Sequence, residues 1–156
     1  MKINIFLLTL IVLSSCKSVK FDESVFGNYL VSSTRDITKS ETGVVPIKVT
    51  ARNSSKEKAL ELAKKYAVAA VLFKGVPNSS VQQPLISSNL NDQAKIHFTK
   101  FFNEGTHLRF VQKAVIDYNN TYKIEGGYEI NADVAVQYDL LNEYLKENKL
   151  KTKFGI

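Results

Sequence analysis

The sequence predicts an α+β domain, a small antiparallel or mixed sheet that includes a long C-terminal β-hairpin, with helices packed on one face. Three observations carry this. Val45, Ile47, Val49 and Ala51 alternate with Pro46, Lys48 and Thr50, the period-2 pattern of a strand buried on one side. Ala59, Ala63, Tyr66, Ala67, Ala70 and Phe73 then recur at helical spacing. Near the C-terminus, Tyr128, Ile130, Ala132, Val134, Val136 and Tyr138 alternate with Glu129, Asn131, Asp133 and Gln137. At 156 residues the chain holds one domain of ordinary size, and 44% hydrophobic with 23% charged residues argues against both wholesale disorder and a multi-span membrane protein.

The folded part is expected to span residues 44–156. Pro46 donates no ladder hydrogen bond, which places its strand at a sheet edge or the proline at a strand start. Ser54 and Glu57 have capping-box spacing, so a helix is expected from there to about Lys74, closed by Gly75. Its alanines permit a close approach to a sheet. From Val76 to Asn91 the prolines Pro77 and Pro84 sit among Ser, Asn and Gln, which predicts a long loop. Asn91 or Asp92 then caps a short helix through Asn103, carrying Ile96, Phe98, Phe101 and Phe102 and ending at Gly105.

Two extended runs follow. In the first, Leu108, Phe110, Ala114 and Ile116 face one way while Arg109, Lys113 and Asp117 face the other; the second is the alternating run from Tyr128. Asn119 and Asn120 are expected to form the turn between them, because asparagine tolerates left-handed backbone. A final helix over residues 140–150 places Leu141, Tyr144 and Leu145 on one face, with Lys146, Lys149 and Lys151 crowding its C-terminal end, where the macrodipole favours them.

The N-terminus reads differently. Lys2 precedes an apolar run from Ile3 to Leu13, the length of a secretory core and well short of the roughly 20 residues that span a bilayer. Leu13, Ser14 and Ser15 lead directly into Cys16, which is the single cysteine of the chain. This pattern resembles the lipobox of bacterial lipoproteins. The resemblance implies a signal peptide over residues 1–15, cleavage between Ser15 and Cys16, a diacylglyceryl thioether on the Cys16 sulfur, and attachment to a lipid bilayer. Each buried methylene contributes about 0.8 kcal/mol, so two or more acyl chains anchor stably where one is marginal. With its sulfur acylated, Cys16 is unavailable for catalysis, metal binding or a disulfide.

Such lipoproteins of diderm bacteria usually reach the outer membrane unless residues after the cysteine retain them. Lys17 does not resemble the acidic residue of the best-known retention signal, so an outer-membrane location is expected. Asp22 and Glu23 resemble, late and behind lysines, an acidic surface-export cluster; the face of the membrane stays open. Residues 16–43 are expected to be the lipidated cysteine and a polar linker, with one local element around Val25 to Val31. If flexible, those after Cys16 reach about 30 Å. The cluster Phe26, Tyr29 and Leu30 leaves docking on the domain equally open.

The formal charge of +6 falls to +5 once residues 1–15 are removed. A mildly basic exported surface points to anionic lipid or glycan and away from nucleic acid. Lys17 and Lys20, beside the acyl chains, would each add about 1 kcal/mol against an anionic leaflet. No glycine-spaced hydrolase elbow, phosphate loop or dinucleotide fingerprint occurs. His97, His107 and Glu104 have no metal-site spacing, and neither a metal nor another cofactor is expected. Glu129 and Asp133 share a strand face, as the acids of any solvent-facing strand do. Tyr118, Tyr122, Tyr128 and Tyr138 could stack on glycans, but packing across strands is the expected role.

In element order and apolar positions, the helix from Ala59 to Ala70 and the segment Val136, Tyr138, Asp139, Leu140 resemble the small periplasmic domains of outer-membrane assembly and flagellar-ring lipoproteins. That resemblance implies a scaffolding role. The expected function is therefore a non-enzymatic module binding an envelope protein or polymer, with Val76, Pro77, Pro84, Leu85, Glu129, Asn131 and Asp133 as candidate contact residues. The alternative is a small envelope hydrolase with a carboxylate or histidine site.

Overall fold

The computed structural model describes residues 20–27, 29–34, 42–86 and 89–150. The expected signal peptide over residues 1–15, Cys16, Lys17 and Lys151 lie outside them. The architecture is α+β, with four antiparallel strands: β1 (Leu30–Ser33), β2 (Val44–Asn53), β3 (Val111–Ile124) and β4 (Gly127–Gln137), side by side in the order β1-β2-β4-β3. Three helices, α1 (Lys56–Phe73), α2 (Asp92–Asn103) and α3 (Tyr138–Glu147), complete it.

The alternation seen in the sequence sets which face is covered. Val45, Ile47, Val49 and Ala51 of β2 and Ile130, Ala132, Val134 and Val136 of β4 are all buried, and α1 packs across these two strands. Ala59, Ala63, Ala67 and Ala70 are fully buried, so the helix approaches the sheet closely. The second half of α1 is buried on every side, from Ala67 to Phe73. Its outer surface is covered by an aromatic cluster: Phe73 meets Phe98 edge-on at 5.2 Å, and Phe101 meets Phe102, Phe110 and Tyr144 at 5.0, 5.7 and 5.5 Å. Leu141 and Leu145 of α3 are buried in the same core.

Several boundaries differ from the sequence expectation, each for a local reason. The N-cap of α1 is Ser55, whose hydroxyl accepts from Lys58 N at 3.2 Å; Ser54 instead donates its N–H to Asn53 Oδ1 at 2.8 Å. Pro46 lies in an interior strand, yet β1 pairs only with Ile47 to Thr50, so Pro46 lies beyond the last β1–β2 pair. The run beginning at Leu108 is first a 3-10 turn (Thr106–Phe110), and the β3 register shifts between Val111 and Lys113, allowing Val111, Ala114 and Ile116 all to pack on the core.

The hairpin turn is not at Asn119 and Asn120. It lies at Glu125 and Gly126, and β3 runs on to Ile124. The asparagines sit where Asp117 pairs with Asn131 but Thr121 pairs with Ile130, so three residues of β3 loop out. Asp117 organises that loop: its carboxylate accepts from Asn119 N at 3.1 Å and from the Asn120 amide at 2.8 Å. Gly127 is needed where the hairpin passes β2, because a methyl there would overlap the Asn53 carbonyl.

The segment assigned to the linker contains structure. A 3-10 turn (Glu23–Phe26) precedes β1, which pairs with β2 from Leu30 opposite Thr50 to Ser33 opposite Ile47. Val25 and Tyr29 are buried in the core, whereas Leu30 is 71% exposed. The packed fold thus begins ahead of Val44. The loop after α1 is also packed: Leu85 and Ile86 donate their N–H groups to Val71 O and Leu72 O at 3.1 and 3.0 Å, satisfying carbonyls at the helix end.

Candidate functional site

With helices on one side of the sheet, the opposite face of β2 and β4 has no second layer among the described residues. The register sets out its side chains in rows. Arg52 lies opposite Glu129, which lies opposite Tyr122; Thr50 lies opposite Asn131, which lies opposite Asp117; Lys48 lies opposite Asp133, which lies opposite Val115. Leu30 extends the second row onto β1.

These groups are tied together. Thr50 Oγ1 donates to Asn131 Oδ1 at 2.6 Å, and the Asn131 amide donates to Asn120 O at 3.3 Å. Lys48 Nζ sits 3.7 Å from carboxylate oxygens of both Asp117 and Asp133, and Arg52 pairs with Glu129. The Asn120 amide, with the Asn119 and Asn120 N–H groups and Lys48, holds the Asp117 carboxyl below its usual range against opposing desolvation. Exposed apolar surface sits beside this network at Tyr122, 51% exposed, and Val115, 45% exposed. At the sheet edge, where β1 begins at Leu30 and β2 runs on past it, a cleft of about 410 Å³ is lined by Leu30, Thr50, Arg52 and Asn131 together with Leu62 and Tyr66 of α1. Charged, amide and aromatic groups in fixed register suit a polar, extended ligand.

The candidate contact residues divide. Glu129, Asn131 and Asp133 lie on this face, Asp133 being exposed. Val76 and Leu85 are buried, at 0% and 5%, and are corrected to core residues: the turn-rich composition of their loop concealed the backbone bond from Val76 N to Val81 O and the one from Leu85 N to Val71 O of α1 that draw them inward. Pro77 is exposed and Pro84 half-buried, but their loop packs on the α1 side of the sheet, so it does not join Glu129, Asn131 and Asp133 in one surface. Tyr128 and Tyr138 pack on the core, Tyr138 from the first turn of α3 and so not across strands. Tyr118 and Tyr122 do not; both are exposed, and Lys56 Nζ lies 5.6 Å from the Tyr118 ring centre. The three-residue irregularity in β3, unsignalled by alternation, is why their placement was missed.

The histidines and Glu104 open onto separate depressions. His97 lines a cleft of about 390 Å³ with Asn91, Gln93, Asn148 and Lys149, and its Nε2 is 2.8 Å from the Tyr144 hydroxyl. Glu104 borders a groove with Ile96 and Lys100, and His107 another with Glu57 and Glu61. Burial pushes both imidazoles below their ordinary range, with Lys100 adding to the effect at His97. His107 packs against Phe101 and Phe102, and its buried Nδ1 has no hydrogen-bond partner among the described residues. Among the described residues no three His, Cys, Asp or Glu side chains are grouped to hold a metal ion, and no helix is long and apolar enough to cross a membrane.

No protein-family model matches the chain, and neither a curated protein nor a solved structure matches it significantly.

Proposed function

We propose that this chain is an acylated lipoprotein of a diderm outer membrane, and that its domain is a non-enzymatic module whose contact surface is the open face of the sheet. The observation that carries the binding reading is that uncovered face, where Tyr122 and Val115 stand exposed in rows with Arg52, Thr50, Asn131 and Asp133. Exposed aromatic and apolar groups set among polar ones are a signature of interaction surfaces. Leu13, Ser14, Ser15 and Cys16 support the address. An envelope protein or an envelope polymer is the partner class.

A photo-crosslinking residue placed at Tyr122 or Asn131 in the cell tests the surface, with Lys95 on the exposed side of α2 as control. The expected result is a discrete adduct from Tyr122 and Asn131 that is absent from Lys95. Adducts from Lys95 alone, or none from the sheet face, would refute the assignment.

A further inference from the structure

We propose that the domain rests against the bilayer through its β1 flank, the occupant of that flank being the anionic lipid surface that holds the acyl chains of Cys16. This inference depends on the lipoprotein reading above.

Little chain separates the anchor from the first packed side chain. Phe21 lies 5.6 Å from Phe26, which meets Phe73 of α1 edge-on at 4.8 Å. Asp22 accepts from Ser24 N at 2.9 Å and pairs with Lys65 of α1. Val25 is fully buried, and Tyr29 stacks on Tyr66 at 4.4 Å. From Phe21 to Phe26, and again at Tyr29, the chain is therefore fixed to α1. Cys16 precedes Phe21 by five residues, a tether of at most about 18 Å fully extended. A domain of this size has a radius of gyration of about 14 Å. The tether cannot run around the domain, so the β3 edge cannot be turned toward lipid. The flank from which the tether leaves must lie next to the surface.

The composition of that flank fits the assignment. Phe21 and Phe26 are half-buried, while Lys20 and Lys74 are exposed at its edge, Lys74 lying 4.3 Å from the Tyr29 ring centre. Aromatic groups flanked by lysine suit the membrane interface, and lysines near it add attraction to anionic lipid. Asp22 is compensated by Lys65, leaving Glu23 as the opposing charge. The tether leaves from the α1 side, so this placement keeps the open sheet face available to a partner.

The test uses the acylated protein, its acyl mass confirmed, in vesicles of phosphatidylethanolamine and phosphatidylglycerol. Because the Cys16 sulfur is a thioether, a cysteine introduced as Glu23→Cys or Asn119→Cys is the single reactive thiol, and its distance to acceptor lipids is read by energy transfer. The label at position 23 is expected within about 25 Å of the surface. The label at position 119, across the sheet, is expected farther away by up to about 14 Å, three strand spacings. A Gly/Ser spacer of about 20 residues inserted after Ser18 should abolish the difference and raise the first distance by about 25 Å. Equal distances in the spacer-free protein, or no response to the spacer, would overturn the placement while leaving the anchor intact. A missing acyl mass would overturn the lipoprotein reading and this inference with it.

Discussion

Replacing Tyr29 separates a docked N-terminal segment from a linker. The side chain is 7% exposed, its ring is stacked within 9° of parallel on Tyr66, and its hydroxyl donates to Val25 O at 2.8 Å. Truncating a buried aromatic residue costs about 3–5 kcal/mol, of which the stacked pair accounts for about 0.5–1.5. Tyr29→Phe keeps the ring and loses the hydroxyl, leaving the Val25 carbonyl without that donor, a cost of about 1 kcal/mol. Its neighbour is the control: Leu30 points into solvent, and Leu30→Ala is expected within about 0.5 kcal/mol of wild type. Urea denaturation of the mature chain carrying Cys16→Ala, which lacks the proposed acylation site, reads all three. A Tyr29→Ala loss below about 1 kcal/mol, or a loss equal to that of Leu30→Ala, would show that the segment is a linker and refute the short-tether argument.

Two further outcomes test the fold. Gly75 closes α1 at φ +76, where a methyl would overlap the Gln82 carbonyl, so Gly75→Ala should cost about 2–4 kcal/mol; Gly126→Ala, at φ +78 with open space around it, should cost only about 1. Both are read from denaturation midpoints. Burial holds His107 and His97 below the ordinary histidine range, so the unfolded chain takes up protons first as pH falls. Their contribution is whole above about pH 6.5 and is lost as pH falls toward the folded-state values. The urea midpoint should therefore drop between about pH 7 and pH 5, and His107→Gln should flatten that drop; an unchanged slope would show that His107 is not held neutral by the fold.

What was legible in the sequence was whatever depended on local periodicity. The alternation in β2 and β4 fixes which of their faces is buried, and the alanines of α1 announce a helix lying close on a sheet. What escaped depended on partners distant in the chain. Four residues at Leu30–Ser33 carry too short a pattern to declare a strand, and only β2 beside them makes them one. The asparagines at positions 119 and 120 have turn chemistry, but Asp117 uses it in a bulge, while Glu125 and Gly126 a few residues later make the reversal. For the candidate surface, Glu129, Asn131 and Asp133 were readable as the polar half of an alternating strand. Their neighbours Arg52, Tyr122 and Asp117 were not, because strand order and register bring them together. Val76 and Leu85 looked like loop residues because composition does not reveal that Leu85 and Ile86 bond to the end of α1.

The address of the protein is the claim on which the rest depends, and intact mass with membrane fractionation tests it most directly. Wild type and Cys16→Ala would be expressed side by side in a diderm bacterium. A wild-type chain is expected to begin at Cys16, carry added acyl mass and sediment with the outer membrane, and the variant to lose both the acyl mass and the membrane. A wild-type chain that stays uncleaved, or is cleaved without acyl mass, would contradict it.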